Sequence, residues 1–370
     1  MYRRNIKEAS SYMQNEFFAA SNSAHGFKNY YPEVFAPCDV LYIIKGGPGT
    51  GKSTFMKKYG RIAESEGAKV EYYYCSSDPS SLDGVLIFGR ERIVGIIDGT
   101  APHVSEPELP GVREEIVNLG ACWDGELLRK QKNEIVALCD RKSAEYKSAY
   151  RFLRSVGNLR AVSDGLVNET LDREKMKSAI SRIIKDIPVG KAKIRTSIVD
   201  SVSMSGRVRF TSLEDSAEKL YIVSEYYGVG EMFLDELYSS LGEREVKIRV
   251  SFDPICPEHV DGILLEDEKI AFVTGAGLEE KYEAVTASED GEETADGGRA
   301  VEVINSKRFV DMEKLRQVRN ELRYTFRLAQ SSLDGALHSL SKAKVYHFLL
   351  EDIYGKAMDW KKTETVKINL

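Results

Sequence analysis

The chain lacks the marks of several protein classes. Its five cysteines, Cys38, Cys75, Cys122, Cys139 and Cys256, include no CxxC pair, which argues against a disulfide framework or a zinc ribbon and for reduced thiols. The five histidines show no metal-ligand spacing. No apolar run nears the roughly 20 residues of a membrane helix, and those present, such as residues 40–44, are strand-sized. Residues 1–8 carry charges with no apolar run behind them, so no secretory signal is expected. Basic excess is also missing: the net charge is −6, which removes non-specific nucleic-acid binding as the main role. A cytoplasmic protein with neither a membrane nor a nucleic-acid partner is expected. Its 370 residues suffice for two ordinary domains.

What the sequence does have is a copy of itself. Residues 41–51 (LYIIKGGPGTG) match residues 220–230 (LYIVSEYYGVG) at Leu, Tyr, Ile and two glycines. Further on, Ser76-Ser77-Asp78-Pro79 is echoed by Ser251-Phe252-Asp253-Pro254, and Asp83-Gly84-Val85 by Asp261-Gly262-Ile263. Each copy continues into a short apolar strand, residues 92–98 or 269–274, and then a long amphipathic region. In the first region Leu128, Ile135, Leu138, Tyr146, Ala149, Leu153 and Val156 form one stripe; in the second, Leu315, Val318, Leu322, Ala329, Leu333 and Leu340 do. These steps of three and four predict helices that cover a sheet or pack on each other. Residues 170–187 read as a further charged helix, and residues 288–298 as an acidic surface loop. The expected division is a first domain over 1–165, a helical connector over 166–205 and a second domain over 206–370.

Residues 45–54 read KGGPGTGKST, set between a strand-like run and good helix formers. This is the context of a phosphate-binding loop. Gly46, Gly47, Pro48, Gly49, Thr50 and Gly51 let the backbone curl so that successive N–H groups face phosphate oxygens, with the helix N-terminus adding partial positive charge. Lys52 would neutralise the β- and γ-phosphates and Ser53 would hold Mg²⁺, while Thr54 completes the nucleotide-binding run as an ordinary helix residue. Asp98 ends an apolar strand, as the second magnesium-holding residue of such sites does. ATP with Mg²⁺ is the expected ligand, since no NKxD-type base reader follows to favour GTP, residues 131–134 (QKNE) included. Gly99 follows Asp98 where many ATP hydrolases carry Glu, so either another residue orients the attacking water or the acceptor is not water. Asp78 and His103 are further candidates. Asp78 has a competing role as the cap of a helix begun by Pro79, and His103 as a turn residue. Arg90, Arg92 and Arg113 are candidate charge-stabilising arginines by proximity in sequence alone.

Matched residue by residue, the second copy puts Glu231 at Lys52, Met232 at Ser53, Glu225 and Tyr226 at Gly46 and Gly47, and Thr274 or Gly275 at Asp98. A carboxylate repels polyphosphate and Met cannot hold magnesium, so this half reads as a degenerate pseudo-domain.

The strings KGGPGTGKST, CSSDPSSLDGV (75–85) and IIDGTAPH (96–103) resemble an uncharacterised bacterial family of duplicated P-loop proteins labelled ATPase or nucleotide-kinase-like. The resemblance spans nearly the whole chain. It implies ATP binding and α/β domains with helical additions, but no substrate; Glu231 and Met232 depart from its pattern. The expectation is a duplicated, three-layer α/β P-loop NTPase fold with mainly parallel sheets and long helical extensions. Its expected activity is that of a magnesium-dependent ATPase with Lys52 and Asp98 in the catalytic roles. The alternatives are a phosphotransferase acting on a small molecule or nucleotide, and a nucleotide-gated regulator that binds a protein partner with little turnover.

Overall fold

The computed structural model describes residues 15–274, 294–296 and 299–370. The acidic loop expected at 288–298 lies outside them, except for a short strand at Thr294–Asp296.

The first half supplies β1 (Asn15–Phe18), the hairpin β2 (Ala20–Ser23) and β3 (Gly26–Asn29), β4 (Val40–Lys45), β5 (Lys69–Tyr74), β6 (Leu82–Phe88), β7 (Ile93–Asp98) and β8 (Glu114–Asn118). The second supplies β9 (Lys193–Thr196), the hairpin β10 (Asp200–Ser203) and β11 (Gly206–Arg209), β12 (Lys219–Val223), β13 (Lys247–Phe252), β14 (Val260–Leu265), β15 (Ile270–Thr274), β16 (Thr294–Asp296) and β17 (Arg299–Ile304). The chain is α/β, with two mixed sheets of mostly parallel strands. The first runs β1-β5-β6-β7-β4-β8, and only β6 opposes the others. The second repeats this as β9-β13-β14-β15-β12-β17, with β14 reversed and β16 added at the edge. The duplication visible in the sequence is thus carried strand by strand in the topology. The stretch read as a helical connector holds one helix, Arg173–Ile183, and also contributes β9 to the second sheet.

Alternation along each strand divides the core. In β4, Tyr42 and Ile44 face the helix Lys52–Ser65 through Phe55, Met56, Tyr59 and Ala63. Leu41 and Ile43 face the opposite way, into a core shared with Leu220 and Ile222 of β12. Each sheet therefore carries its main helix on one face only. The other face meets the short helices Tyr31–Val34 and Ser212–Asp215 and the opposite half. The expected three-layer unit, with full helical layers on both faces, gives way to two sheets turned toward a common interior. Across it Arg249 Nη2 donates to Glu71 Oε1 at 2.9 Å.

The two amphipathic regions form helices Lys132–Asn168 and Met312–Ala357, longer than the stripes alone suggested. They pack antiparallel. Leu138 meets Leu350 and Ile353, Ala149, Leu153 and Val156 meet Ala336, Leu340 and Ala343, and Ser163 Oγ lies 2.8 Å from Thr325 Oγ1. Each helix starts beside its own sheet and ends over the other half. Beyond the second helix the short helix Trp360–Thr365 leads to a strap along the first half. There Ile368 N donates to Tyr59 Oη at 3.1 Å, and Tyr42 Oη donates to Asn369 O at 2.9 Å. Among the described residues no helix is long and apolar enough to cross a membrane.

Candidate functional site

The glycine loop joins the end of β4 to the helix Lys52–Ser65, and Gly51 caps that helix at φ 84°. Gly49 is also left-handed, at φ 68°. A Cβ on Gly49 would run into the backbone carbonyl of Glu351, so the loop needs glycine there both for its own conformation and for the helix packed on it. Thr50 Oγ1 donates to Gly47 O at 2.8 Å and holds the curl.

Lys52 folds back over the loop and donates to Gly46 O at 3.1 Å and Gly47 O at 2.7 Å, with its ammonium 3.5 Å from Asp98 Oδ2. Parallel pairing of β4 with β7 sets Ile44 beside Asp98, which brings that carboxylate to the loop. Its other oxygen is fixed by Thr100, whose N–H and Oγ1 donate to Oδ1 at 2.9 and 2.6 Å. Ser53 Oγ accepts the Leu82 N–H at 2.9 Å, so its own proton and remaining lone pair are free to turn toward a ligand. Thr54 is exposed at the cavity rim.

Next to Asp98 stand two residues that the sequence treated unequally. His103 Nε2 lies 3.1 Å from Asp83 Oδ2, and ligating atoms of Asp83, Asp98 and His103 lie within 4.8 Å of one another. Burial pushes the Asp98 carboxyl up, reinforced by Asp83 and opposed by Lys52 and His103. For His103 burial would lower the imidazole, but Asp83 and Asp98 outweigh it and hold it above the usual histidine value. Among the described residues His103 Nδ1 is buried without a partner. Asp78, the other acidic candidate, caps a turn and not a helix: its Oδ1 accepts from Ser80 N–H and Oγ at 3.2 and 2.8 Å. Asp253 does the same for Ile255 and Cys256 in the second half.

The glycine loop, Lys52, Ser53, Asp78, Asp83, Asp98, Thr100 and His103 line one cavity of about 980 Å³. Its lining includes Phe55, Lys58, Trp360, Thr363 and Glu364, together with Phe27, Tyr146, Tyr150 and Met204. Lys142, His347 and Glu351, from the two long helices, line it as well. Lys45 braces the wall that carries Thr100 to His103, donating to Gly99 O at 3.0 Å and Ser105 O at 2.6 Å. None of the three arginines named from the sequence takes part. Arg92 binds the carbonyl of Leu370, Arg113 binds the carbonyls of Phe35 and Cys38, and Arg90 is exposed outside the cavity. Lys142, Glu351 and Trp360 were missed because only the crossing of the long helices delivers them. Asp83 was visible only as half of a repeated Asp-Gly.

The second loop is filled by its own side chains. Glu225 Oε1 accepts the Gly228 N–H, placing a carboxylate among the loop amides. Arg160, from the Lys132–Asn168 helix, donates to Glu231 and, at 2.9 Å, to Asp253. Matching the buried faces of the two loop helices, Phe55, Met56, Tyr59 and Ala63 against Phe233, Leu234, Leu237 and Leu241, puts Gly230 opposite Lys52 and Glu231 opposite Ser53. The sequence match ran one residue off there, because the second loop is one residue shorter. Strand pairing puts Thr274 opposite Asp98.

Comparison with protein-family models, curated proteins and solved structures found no match to this chain.

Proposed function

We propose that the first half is a phosphate-binding-loop nucleotide site and that the protein is a magnesium-dependent ATPase with one competent site. The observation that carries this reading is the position of Lys52. It stands at the N-terminus of a helix behind a left-handed glycine, 3.5 Å from a buried aspartate, inside one cavity. Backbone N–H groups of residues 49–53 and the helix dipole favour an anion there, and Lys52 adds a full charge. The spare proton and lone pair of Ser53 Oγ, and Asp98 Oδ2 beside the Lys52 ammonium at 3.5 Å, suit the oxygen-rich, partly hydrated shell that magnesium takes. When bound, that ion neutralises phosphate charge; the chain's own part is to hold the triphosphate in line and exclude bulk water. Hydrolysis forms a bond from water oxygen to the γ-phosphorus and breaks the β–γ bridge, releasing ADP, phosphate and a proton.

A second reading, small-molecule phosphotransfer, is favoured by two features: the cavity that holds Asp98 is also lined by Phe27, Tyr146, Tyr150 and Met204, and no Glu follows Asp98 to orient water. The deciding assay measures magnesium-dependent ADP and phosphate release by wild type and Lys52→Ala, with and without pooled metabolites. Equal ADP and phosphate, lost in the variant, supports the ATPase. Metabolite-stimulated ADP without phosphate moves the assignment to a kinase. Turnover unchanged by Lys52→Ala refutes both.

A further inference from the structure

Lys142 sits on the Lys132–Asn168 helix and lines the cavity of the glycine loop. Among the described residues it has no side-chain hydrogen bond and no ion pair within 4.0 Å, although it is only partly exposed. The neighbouring carboxylate, Glu351, is engaged with His347 at 3.5 Å. Burial lowers the Lys142 ammonium below the ordinary lysine value; Cys139, Cys75 and Glu351 offset part of this, and Lys52 adds a smaller repulsion. Holding an unpaired ammonium away from water next to a second ammonium is costly. The arrangement makes sense where a multiply charged anion arrives between the two.

Helix geometry gives a second, independent argument. Arg160 follows Lys142 by eighteen positions on the same helix (160 − 142 = 18), which at about 3.6 residues per turn is five whole turns. The two cations therefore project from one face, about 27 Å apart along the axis. Arg160 enters the second loop and meets the built-in carboxylates Glu231 and Asp253. At Lys142 no such built-in anion lies within ion-pair range among the described residues.

We propose that Lys142 is a second phosphate-binding cation of the site, contacting the terminal phosphate of a bound nucleoside triphosphate and so favouring triphosphate over diphosphate. This rests on the nucleotide reading of the loop. The helix thus supplies the charge that no nearby arginine provides.

The test is calorimetric titration of the full chain with magnesium and either ADP or an imido-bridged, slowly hydrolysed ATP analogue. Wild type, Lys142→Met, Lys142→Arg and Lys52→Ala are compared, each checked for native circular dichroism. Lys142→Met should lose about tenfold or more in analogue affinity while ADP affinity changes by less than about threefold, and Lys142→Arg should retain the preference. Equal losses for both ligands, or analogue affinity within about twofold of wild type, overturn the proposal even if Lys52→Ala abolishes binding. Wild type that binds neither ligand, or Lys52→Ala that binds both normally, overturns the nucleotide reading and this proposal with it.

Discussion

Arg160 Nη1 donates to Asp253 Oδ1 at 2.9 Å, tying the helix of the first half to the turn that follows β13 of the second. The same guanidinium also holds Glu231, which burial pushes above the usual carboxylate range. Removing it takes the cation from buried Glu231 and leaves Asp253 to the Ile255 and Cys256 N–H groups and to Arg207 at 4.0 Å. Arg160→Met should therefore destabilise the protein by about 3–5 kcal/mol, read as a lower urea midpoint at unchanged slope. A loss below about 1 kcal/mol would mean that the pair is no better than an exposed one.

Gly49 tests the cradle without touching a charge. Gly49→Ala forces a left-handed Cβ against Glu351, so either the loop or the long helix must move. The expected outcome is a loss of nucleotide affinity of at least about tenfold together with a lower melting temperature. Unchanged binding would show that the loop tolerates another backbone path.

Asp98→Asn keeps the size and removes the charge. Magnesium-dependent turnover should fall by roughly 10–100-fold or more, with the magnesium concentration for half-maximal rate rising. A variant with normal turnover and normal magnesium dependence would remove Asp98 from the site.

His259, which is not among the residues lining the cavity of the glycine loop, offers a pH readout. Hydrogen bonds to Asp164 and Asp235 raise its pKa to about 10, against the effect of burial. Because the folded value is raised, the stabilisation is complete below the unfolded histidine value near 6.5. It then declines as pH rises and is gone above about 10. The stability advantage of wild type over His259→Gln should follow that course in urea unfolding between pH 6 and 10. An advantage constant with pH would show that the imidazole titrates no higher in the folded chain than in the unfolded one.

Much of the fold was legible locally. β4, β7 and the loop between β4 and its helix follow from runs of apolar residues and from glycine spacing, signals that need no distant partner. The stripe from Leu138 to Val156 gave the long helix and its buried face. Two kinds of information were not local. The reversed strand β6 and the shared interior depend on which sheet face meets the other half; the apolar run of β4 signals burial on both faces but does not say what covers each. The site shows the same divide. Lys52, Ser53 and Asp98 stand where the motif puts them, whereas Lys142 and Trp360 enter through helix packing, and the residue match of Glu231 slipped because a loop lost one residue without leaving a mark in the sequence.

The crossed helices also govern the order in which this protein can mature. A ribosome exposes the glycine loop early, yet Glu351 against Gly49, Trp360 beside Gly51 and the strap along Tyr42 and Tyr59 come from residues made some 300 positions later. Until then the nascent first half must carry an unfinished pocket and an uncovered patch of its core. A cut between the halves would leave the motif intact and the cavity without the wall that Glu351 and Trp360 supply.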